Sequence, residues 1–136
     1  MAVVATDTNT TTAPPTALPT TQQRAATTAA TRNYADLDFD QQVLVSRSTD
    51  VLVGMHGAGL VQALFLPRHG GVFEFFCPDR PSSNTRYEEL ARRLRRRYAS
   101  YSLTTDDNRV PVHDAVAAIA KLLRRVYDCK RGADAC

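Results

Sequence analysis

A histidine surrounded by glycines is the feature of this sequence best suited to chemistry. His56 follows the apolar run 51–53 and Gly54, and it is itself followed by Gly57-Ala58-Gly59. The apolar run predicts a buried strand, and glycines at its end let the backbone turn and a ligand approach closely. A helix that starts after this turn would aim free N–H groups and its positive dipole end at an anion such as phosphate. The pattern therefore predicts a strand, a phosphate-binding turn and a helix, with His56 at the turn.

A carboxylate interrupts a second strand-like run. Glu74 stands within residues 72–76, which are otherwise apolar. A buried carboxylate is costly unless it is paired, so Glu74 is expected to have a specific partner.

The elements that must position these residues alternate between helix and strand. Apolar spacing and capping residues predict helices over residues 39–48, 60–65, 86–97 and 112–127, and strands over 51–55, 72–76 and 98–103. Such alternation predicts an α/β fold with a Rossmann-like parallel sheet, flanking helices and right-handed crossovers. Ligands of these sheets bind beyond the carboxyl ends of the strands. His56, the glycine turn and the loop with Ser82, Ser83 and Asn84 would meet at that edge, and Glu74 would point toward it.

The charged residues mostly have a structural explanation. The net charge is +3 with a pI near 9.0, a mild excess that does not indicate nucleic acid. The arginines at 92–97 follow Glu88 and Glu89 at the spacing of helical ion pairs. Solvated helix faces are therefore the favoured interpretation, and an anionic membrane surface or polyanion is the alternative. The apolar stripe over 112–127 predicts a helix packed on the core, or else a coiled-coil seam.

Composition divides the chain at residue 33. Residues 1–32 are almost entirely Thr, Ala, Pro and Gln, which predicts a disordered stalk or linker. Residues 33–136 are enough for one small α/β domain. No run is long and apolar enough to span a membrane, and residues 2–5 are too short for a signal-peptide core. The chain is thus expected to be cytosolic or a piece of a longer protein.

Three cysteines are present, Cys77, Cys129 and Cys136, and none forms a CxxC pair. Zinc binding and thioredoxin-like chemistry are therefore not indicated. In an oxidising compartment the odd count leaves one thiol free or paired outside the chain, and the pairing stays open.

The motifs together resemble a known family. The stretches DVLVGMHGAGL (50–60), ALFLP (63–67) and GVFE (71–74), with a glutamine at 41 or 42 and tyrosines at 87 and 98, resemble the C-terminal part of glycosyltransferase family 61. The resemblance covers about residues 38–101. Val61-Gln62 departs from the family, which commonly has Thr-Asn there.

The resemblance implies a fold and an activity. The fold would be the C-terminal, donor-binding half of a GT-B glycosyltransferase, with residues 33–136 incomplete relative to the family. The activity would be inverting transfer of GlcNAc or a pentose from a UDP-sugar to a protein or glycan hydroxyl, in the lumen of the endoplasmic reticulum or Golgi. No metal ligand and no cofactor beyond the UDP-sugar donor are predicted, and the metal requirement stays open. The alternatives are a non-catalytic nucleotide-sugar-binding relic and an α/β interaction module.

The resemblance also implies roles for particular residues. The predicted donor-binding residues are His56, Gly57, Ala58, Gly59 and Glu74, and His56 is also the predicted catalytic residue. For His56, three roles stay open: a diphosphate or donor-sugar contact, a general base, or a side chain that orders the turn. For Glu74, the functional role is to accept hydrogen bonds from ribose hydroxyls. The structural alternative is a carboxylate that caps a loop or meets an arginine.

Overall fold

The described part of the protein forms a five-stranded sheet with helices on both faces. The structure, a computed structural model, describes residues 2–7, 27–78, 84–103 and 112–132. The strands are β1 (Ala2–Asp7), β2 (Thr27–Arg32), β3 (Val51–Met55), β4 (Gly71–Phe76) and β5 (Arg97–Ser102). The α-helices are α1 (Phe39–Arg47), α2 (Arg86–Arg93) and α3 (Val112–Lys130), and 3-10 segments cover Tyr34–Asp36 and Ala58–Phe65.

The strands lie in the order β2-β1-β3-β4-β5. β3, β4 and β5 run parallel, whereas β1 is antiparallel to both β2 and β3. The predicted α/β fold, a parallel sheet with flanking helices, is therefore confirmed for these three strands.

The N-terminal strands contradict part of the disorder prediction. Residues 2–7 and 27–32 were expected to be disordered, but β1 pairs with the open edge of β3, and β2 pairs with β1. An edge strand offers unpaired N–H and C=O groups, and the Thr and Val residues here favour extended backbone. The sheet therefore begins before residue 33. Residues 1 and 8–26 of the predicted disordered segment lie outside the described part.

Alternation along the strands divides the core between two faces. Leu52 and Val72 pack with Leu60 of the 3-10 segment and Ala91 of α2, on the face that also receives α1. Val51, Val53, Phe73 and Phe75 pack on the opposite face against α3, which contributes Ala115, Leu122 and Val126. The core-facing interpretation of α3 is thus confirmed. The buried stripe is rotated from the predicted one, however, because Val112 and Val116 are exposed.

The helices differ from their predicted bounds in three places. The segment after the glycine turn is a 3-10 helix, and α3 continues to Lys130. α2 ends at Arg93 instead of residue 97. A Schellman motif closes it: Arg96 N–H donates to Ala91 O at 2.8 Å, Arg95 N–H donates to Arg92 O at 3.1 Å, and Arg95 has a φ of 54°.

Candidate functional site: a buried glutamate–histidine pair beside a glycine-lined cleft

Sheet register brings Glu74 and His56 together. Glu74 of β4 lies opposite Gly54 of β3 and Ser100 of β5. Side chains two positions apart share a face, so 54, 56, 74 and 98 all point to the same side of the sheet. Because Gly54 has no side chain, space remains beside it for the carboxylate and the imidazole.

Glu74 is completely buried, with a relative exposure of 0%. One carboxylate oxygen, Oε1, bonds His56 Nδ1, and the other, Oε2, accepts from Tyr98 OH at 2.5 Å. Burial and the hydrogen bond to Glu74 raise the pKa of Tyr98, so this phenol stays a donor. The expected partners of Glu74 were ribose hydroxyls, a loop or an arginine. Its partners in the structure are instead a histidine and a tyrosine, which satisfy both carboxylate oxygens.

The bond to Glu74 fixes the orientation of the His56 ring. With Nδ1–H donating to the carboxylate, neutral His56 carries its lone pair on Nε2. Asn84 Nδ2–H donates to that Nε2 at 3.1 Å. The imidazole also stacks on Phe76, with ring centroids 5.2 Å apart, and meets Tyr87 edge-on at 5.4 Å. These contacts leave only 7% of the His56 side chain exposed, at the wall of a cleft.

That cleft has a volume of about 340 Å³ and lies at the carboxyl end of β3. Its walls come from the turn residues His56, Gly57 and Gly59 and from the 3-10 segment at Asn33–Ala35. Among the described residues other than its chain neighbours, a Cβ added at Gly59 would meet no atom within 4 Å, and one at Gly57 would meet Met55 O at 3.8 Å. Packing within the protein thus does not require glycine at either position. A side chain there would take up cleft space instead.

The glycine turn supplies fewer backbone donors than an α-helix would. The first bond of the 3-10 ladder is Leu60 N–H to Gly57 O at 3.0 Å, so the N–H groups of Ala58 and Gly59 precede it. Ala58 itself is separated from the other predicted donor-binding residues. It lines a neighbouring apolar groove with Val61, Tyr87 and Leu90.

A buried amide network holds the opposite wall of the cleft. Gln42 Nε2 donates to the main-chain oxygens of Tyr34 and Leu37, both at 2.9 Å. Gln62 Nε2 donates to Gln42 Oε1 at 2.6 Å, and Tyr34 OH bonds Ser46 Oγ at 3.1 Å. Gln42, not Gln41, is thus the glutamine near the site. Gln41 instead forms a capping box with Asp38 at the start of α1.

Asn84 was expected at this edge and lies there, whereas Tyr98, Phe76 and Gln62 were not predicted as site residues. Period-two alternation along β4 and β5 was a signal for Phe76 and Tyr98, because it puts them on the face of Glu74. Asn84 comes from a loop that no periodicity describes. Ser82 and Ser83, expected at the same edge, lie outside the described residues.

The remaining features concern metals, membranes and thiols. Within the described ranges, no three His, Cys, Asp or Glu side chains converge as a metal site, and no helix is long and apolar enough to cross a bilayer. His113 is almost fully exposed, whereas His69 bonds Asp50. Cys129 is disulfide-bonded and Cys77 is a free thiol.

A glycine-lined cleft with an oriented histidine at the carboxyl edge of a parallel sheet is the kind of site that binds nucleotides and phosphorylated ligands. Over part of its length, the chain is similar to proteins that are named as transferases. No family model matches it.

The similar proteins carry the name EGF domain-specific O-linked N-acetylglucosamine transferase. The Drosophila melanogaster protein is 41% identical over 69 residues, which are 51% of this chain and 13% of that protein. The Rattus norvegicus and Gallus gallus proteins are 47% and 45% identical over 47 residues, which are 34% of this chain and 9% of each. The chain thus spans only 9–13% of the length of these relatives. The predicted resemblance is confirmed for part of that enzyme, and membership of family 61 stays a prediction.

Proposed function

We propose that this chain forms the nucleotide-sugar-binding part of a glycosyltransferase of the GT-B type. The proposed reaction is inverting transfer of GlcNAc or a pentose from a UDP-sugar to a protein or glycan hydroxyl. The observation that carries the proposal is the His56–Glu74 pair, buried at the carboxyl edge of the sheet and facing a cleft lined by Gly57 and Gly59. The partial similarity to N-acetylglucosamine transferases supports the same class of reaction.

His56 has the geometry for either of two active roles. As a neutral ring, its Nε2 lone pair can take the proton of an acceptor hydroxyl, with Glu74 stabilising the imidazolium that results. As an imidazolium, Nε2–H can donate to the diphosphate of the donor. In both roles a ligand atom would replace Asn84 Nδ2, or the Asn84 amide would rotate to present its oxygen.

Glu74 is assigned a positioning role in this proposal. Its oxygens already bond His56 and Tyr98, and none of its surface is exposed. It therefore acts on the ligand through His56, and the ribose contact proposed for it from the family would require those bonds to open.

The glycine turn would receive the diphosphate. The N–H groups of Ala58 and Gly59 lie before the first bond of the 3-10 ladder, and Gly57 and Gly59 keep the cleft open beside them. Ala58 contributes through its main chain, since its side chain lines the neighbouring groove.

An oxidising compartment fits the proposed activity. Disulfides such as that of Cys129 persist in secretory compartments, and the EGF domains in the relatives' names are disulfide-dense extracellular modules. We therefore place the protein in the lumen of the endoplasmic reticulum or Golgi.

Calorimetric titration of the full chain with UDP tests the proposal. We expect saturable binding that weakens at least tenfold in His56→Ala and in Glu74→Gln. The matched control is His113→Ala, since this histidine is almost fully exposed and remote from the cleft. Absence of binding at millimolar UDP, or equal weakening in the control, would overturn the proposal and favour the interaction-module alternative.

Transfer assays separate a working half-site from a relic. If this chain supplies only one wall of the active site, it binds UDP but does not turn over a UDP-sugar alone. Grafting residues 33–132 in place of the matching part of a relative should preserve transfer, and adding His56→Ala to the graft should abolish it. Failure of the folded, UDP-binding graft to transfer sugar would identify a relic.

A further inference from the structure

A second cavity lies at the opposite edge of the parallel strands. Its volume is about 380 Å³, and it is lined by segments that precede β4 and β5 and by the end of α3. The charged and titratable residues in its walls are Arg68, His69, Arg95, Arg96 and Lys130. It is separate from the His56 cleft, and no role in the proposed transfer requires it.

The cavity is lined by more positive than negative charge. Asp50 bonds His69 Nε2 at 2.6 Å and lies 3.2 Å from Lys130 Nζ. Neither Arg68 nor Arg95 forms an ion pair with any carboxylate in the described ranges. The carboxyl ends of α2 and α3 add about half a negative charge each, which leaves the cavity positive.

Arg96 is the most constrained of these cations. Its terminal nitrogens donate to Leu94 O at 2.8 Å and Leu66 O at 2.6 Å, while its Nε is buried without a partner. Burial and the nearby charge of Arg68 lower the pKa of Arg96. A partly desolvated guanidinium beside a second guanidinium is unfavourable unless an anion joins them.

Arg95 reaches the same cavity from an unusual backbone position. It occupies the left-handed residue of the Schellman motif, with φ 54°, where glycine is the usual choice. The chain therefore presents an arginine to the cavity at a position where helix termination by itself favours glycine.

We propose that this cavity binds a multivalent oxyanion, a phosphate or sulfate group, between Arg68, Arg95 and Arg96. Guanidinium groups bond such anions in a bidentate way, and an oxyanion would relieve the repulsion between Arg68 and Arg96. The site requires neither a nucleotide nor the activity proposed above.

Calorimetry on the full chain with inorganic diphosphate, phosphate and sulfate, at ionic strength matched with chloride, tests the site. We expect saturable diphosphate binding that weakens at least tenfold in the double variant Arg68→Gln, Arg95→Gln. The matched control is Arg124→Gln, Arg125→Gln, which removes the same charge from exposed positions of α3 that do not line the cavity. Tighter phosphate than sulfate identifies a phosphoryl group as the natural ligand, and the reverse order identifies a sulfate ester.

The two edges of the sheet are distinguished by His56→Ala. Diphosphate binding that survives this substitution belongs to the basic cavity, whatever the fate of UDP binding. Equal weakening in the two double variants, loss of binding in His56→Ala, or no saturation by 10 mM diphosphate would each overturn the proposal.

Discussion

Two carboxylate–histidine pairs lie at opposite ends of the same parallel strands. At the carboxyl edge, Glu74 bonds His56, and its other oxygen bonds the neutral Tyr98 hydroxyl. At the amino edge, Asp50 bonds His69 and is also paired with the permanent cation Lys130. Both pairs join a carboxylate to a histidine, but the first carboxylate also bonds a neutral hydroxyl, whereas the second is also paired with a cation.

The two pairs therefore differ in the second group that contacts the carboxylate. Within the described residues, the partners of the buried Glu74 are the His56 imidazole and a neutral phenol, and neither is a permanent cation. Lys130 already compensates Asp50, whatever the protonation of His69. The carboxyl edge thus suits the proton transfer proposed for His56, whereas at the amino edge Lys130 is already paired with Asp50.

Removing each carboxylate gives the largest expected effect. In Glu74→Ala, the buried Tyr98 hydroxyl and His56 Nδ1–H lose their acceptor, and we expect the free energy of unfolding to fall by about 3 kcal/mol or more. In Asp50→Ala, the partly exposed His69 and Lys130 can turn to water, so the loss should be about half as large. Urea denaturation followed by circular dichroism measures both. Equal losses would remove the distinction between the edges.

Substitution by alanine should affect stability at one edge of the sheet and ligand binding at the other. A Cβ at Gly71, where β4 begins, would lie 2.9 Å from Val126 Cγ2, so Gly71→Ala should cost about 1–3 kcal/mol of stability through overpacking. A Cβ at Gly59 would meet no non-neighbouring atom of the described residues within 4 Å, so Gly59→Ala should leave the thermal midpoint nearly unchanged and weaken UDP binding. A destabilised Gly59→Ala would show that this glycine serves the fold instead of the ligand.

Loss of the Tyr98 hydroxyl should destabilise the carboxyl edge by removing one of the two bonds to Glu74. Tyr98→Phe removes a hydrogen bond to a carboxylate, and we expect a loss of about 1.5–3 kcal/mol near pH 7. Because folding raises the Tyr98 pKa, the contribution of this phenol is present below its unfolded pKa of about 10 and declines as the pH rises above it. The stability gap between wild type and Tyr98→Phe should therefore stay constant up to about pH 9 and narrow above about pH 10. A constant gap would contradict the assigned bond.

Substitution of the exposed Glu89 should have the smallest effect on stability, and it provides a comparison for the two buried carboxylates. Hydrogen bonds from Arg92 and Arg93 lower the pKa of Glu89 to about 2. A depressed pKa stabilises the fold above the unfolded value of 4.5, and that contribution is lost as the pH falls toward 2. The thermal midpoints of wild type and Glu89→Gln should differ slightly at about pH 6 and converge as the pH falls to about 2. Convergence should occur earlier in high salt, since these charges are exposed.

Much of the central fold could be predicted because apolar runs and glycines mark it directly. The runs around Val53 and Phe73 indicated buried parallel strands, and both strands are observed. The end of α2 could not be predicted, because an arginine occupies the left-handed position that a glycine would have marked. The strands β1 and β2 were not predicted because the composition of residues 1–32 indicates only how little apolar surface they can bury. Pairing at a sheet edge depends instead on main-chain hydrogen bonds, which composition does not reveal.

The candidate site was predicted in part. His56 and the glycine turn were visible as isolated polar and flexible residues after a strand. The partner of Glu74 could not be predicted, because it depends on the strand register that sets residue 74 opposite Gly54. The glutamine network depends on how α1 crosses the 3-10 segment, which the spacing along one helix does not specify.

The pairing of β1 with β3 implies an order of assembly. Ala2 lies opposite Gly54, whereas Val51 pairs with Gly71 and Gly71 with Arg97, so the N-terminal strand closes a loop at least twice as long as either parallel crossover. The parallel strands are therefore expected to assemble first and β1 to join late. Amide hydrogen exchange should follow the same order, with slow exchange in β3 and β4 and faster exchange in β1 and β2. The paired strands β1 and β2 would then be a separate cooperative unit that detaches while the His56 pocket stays folded.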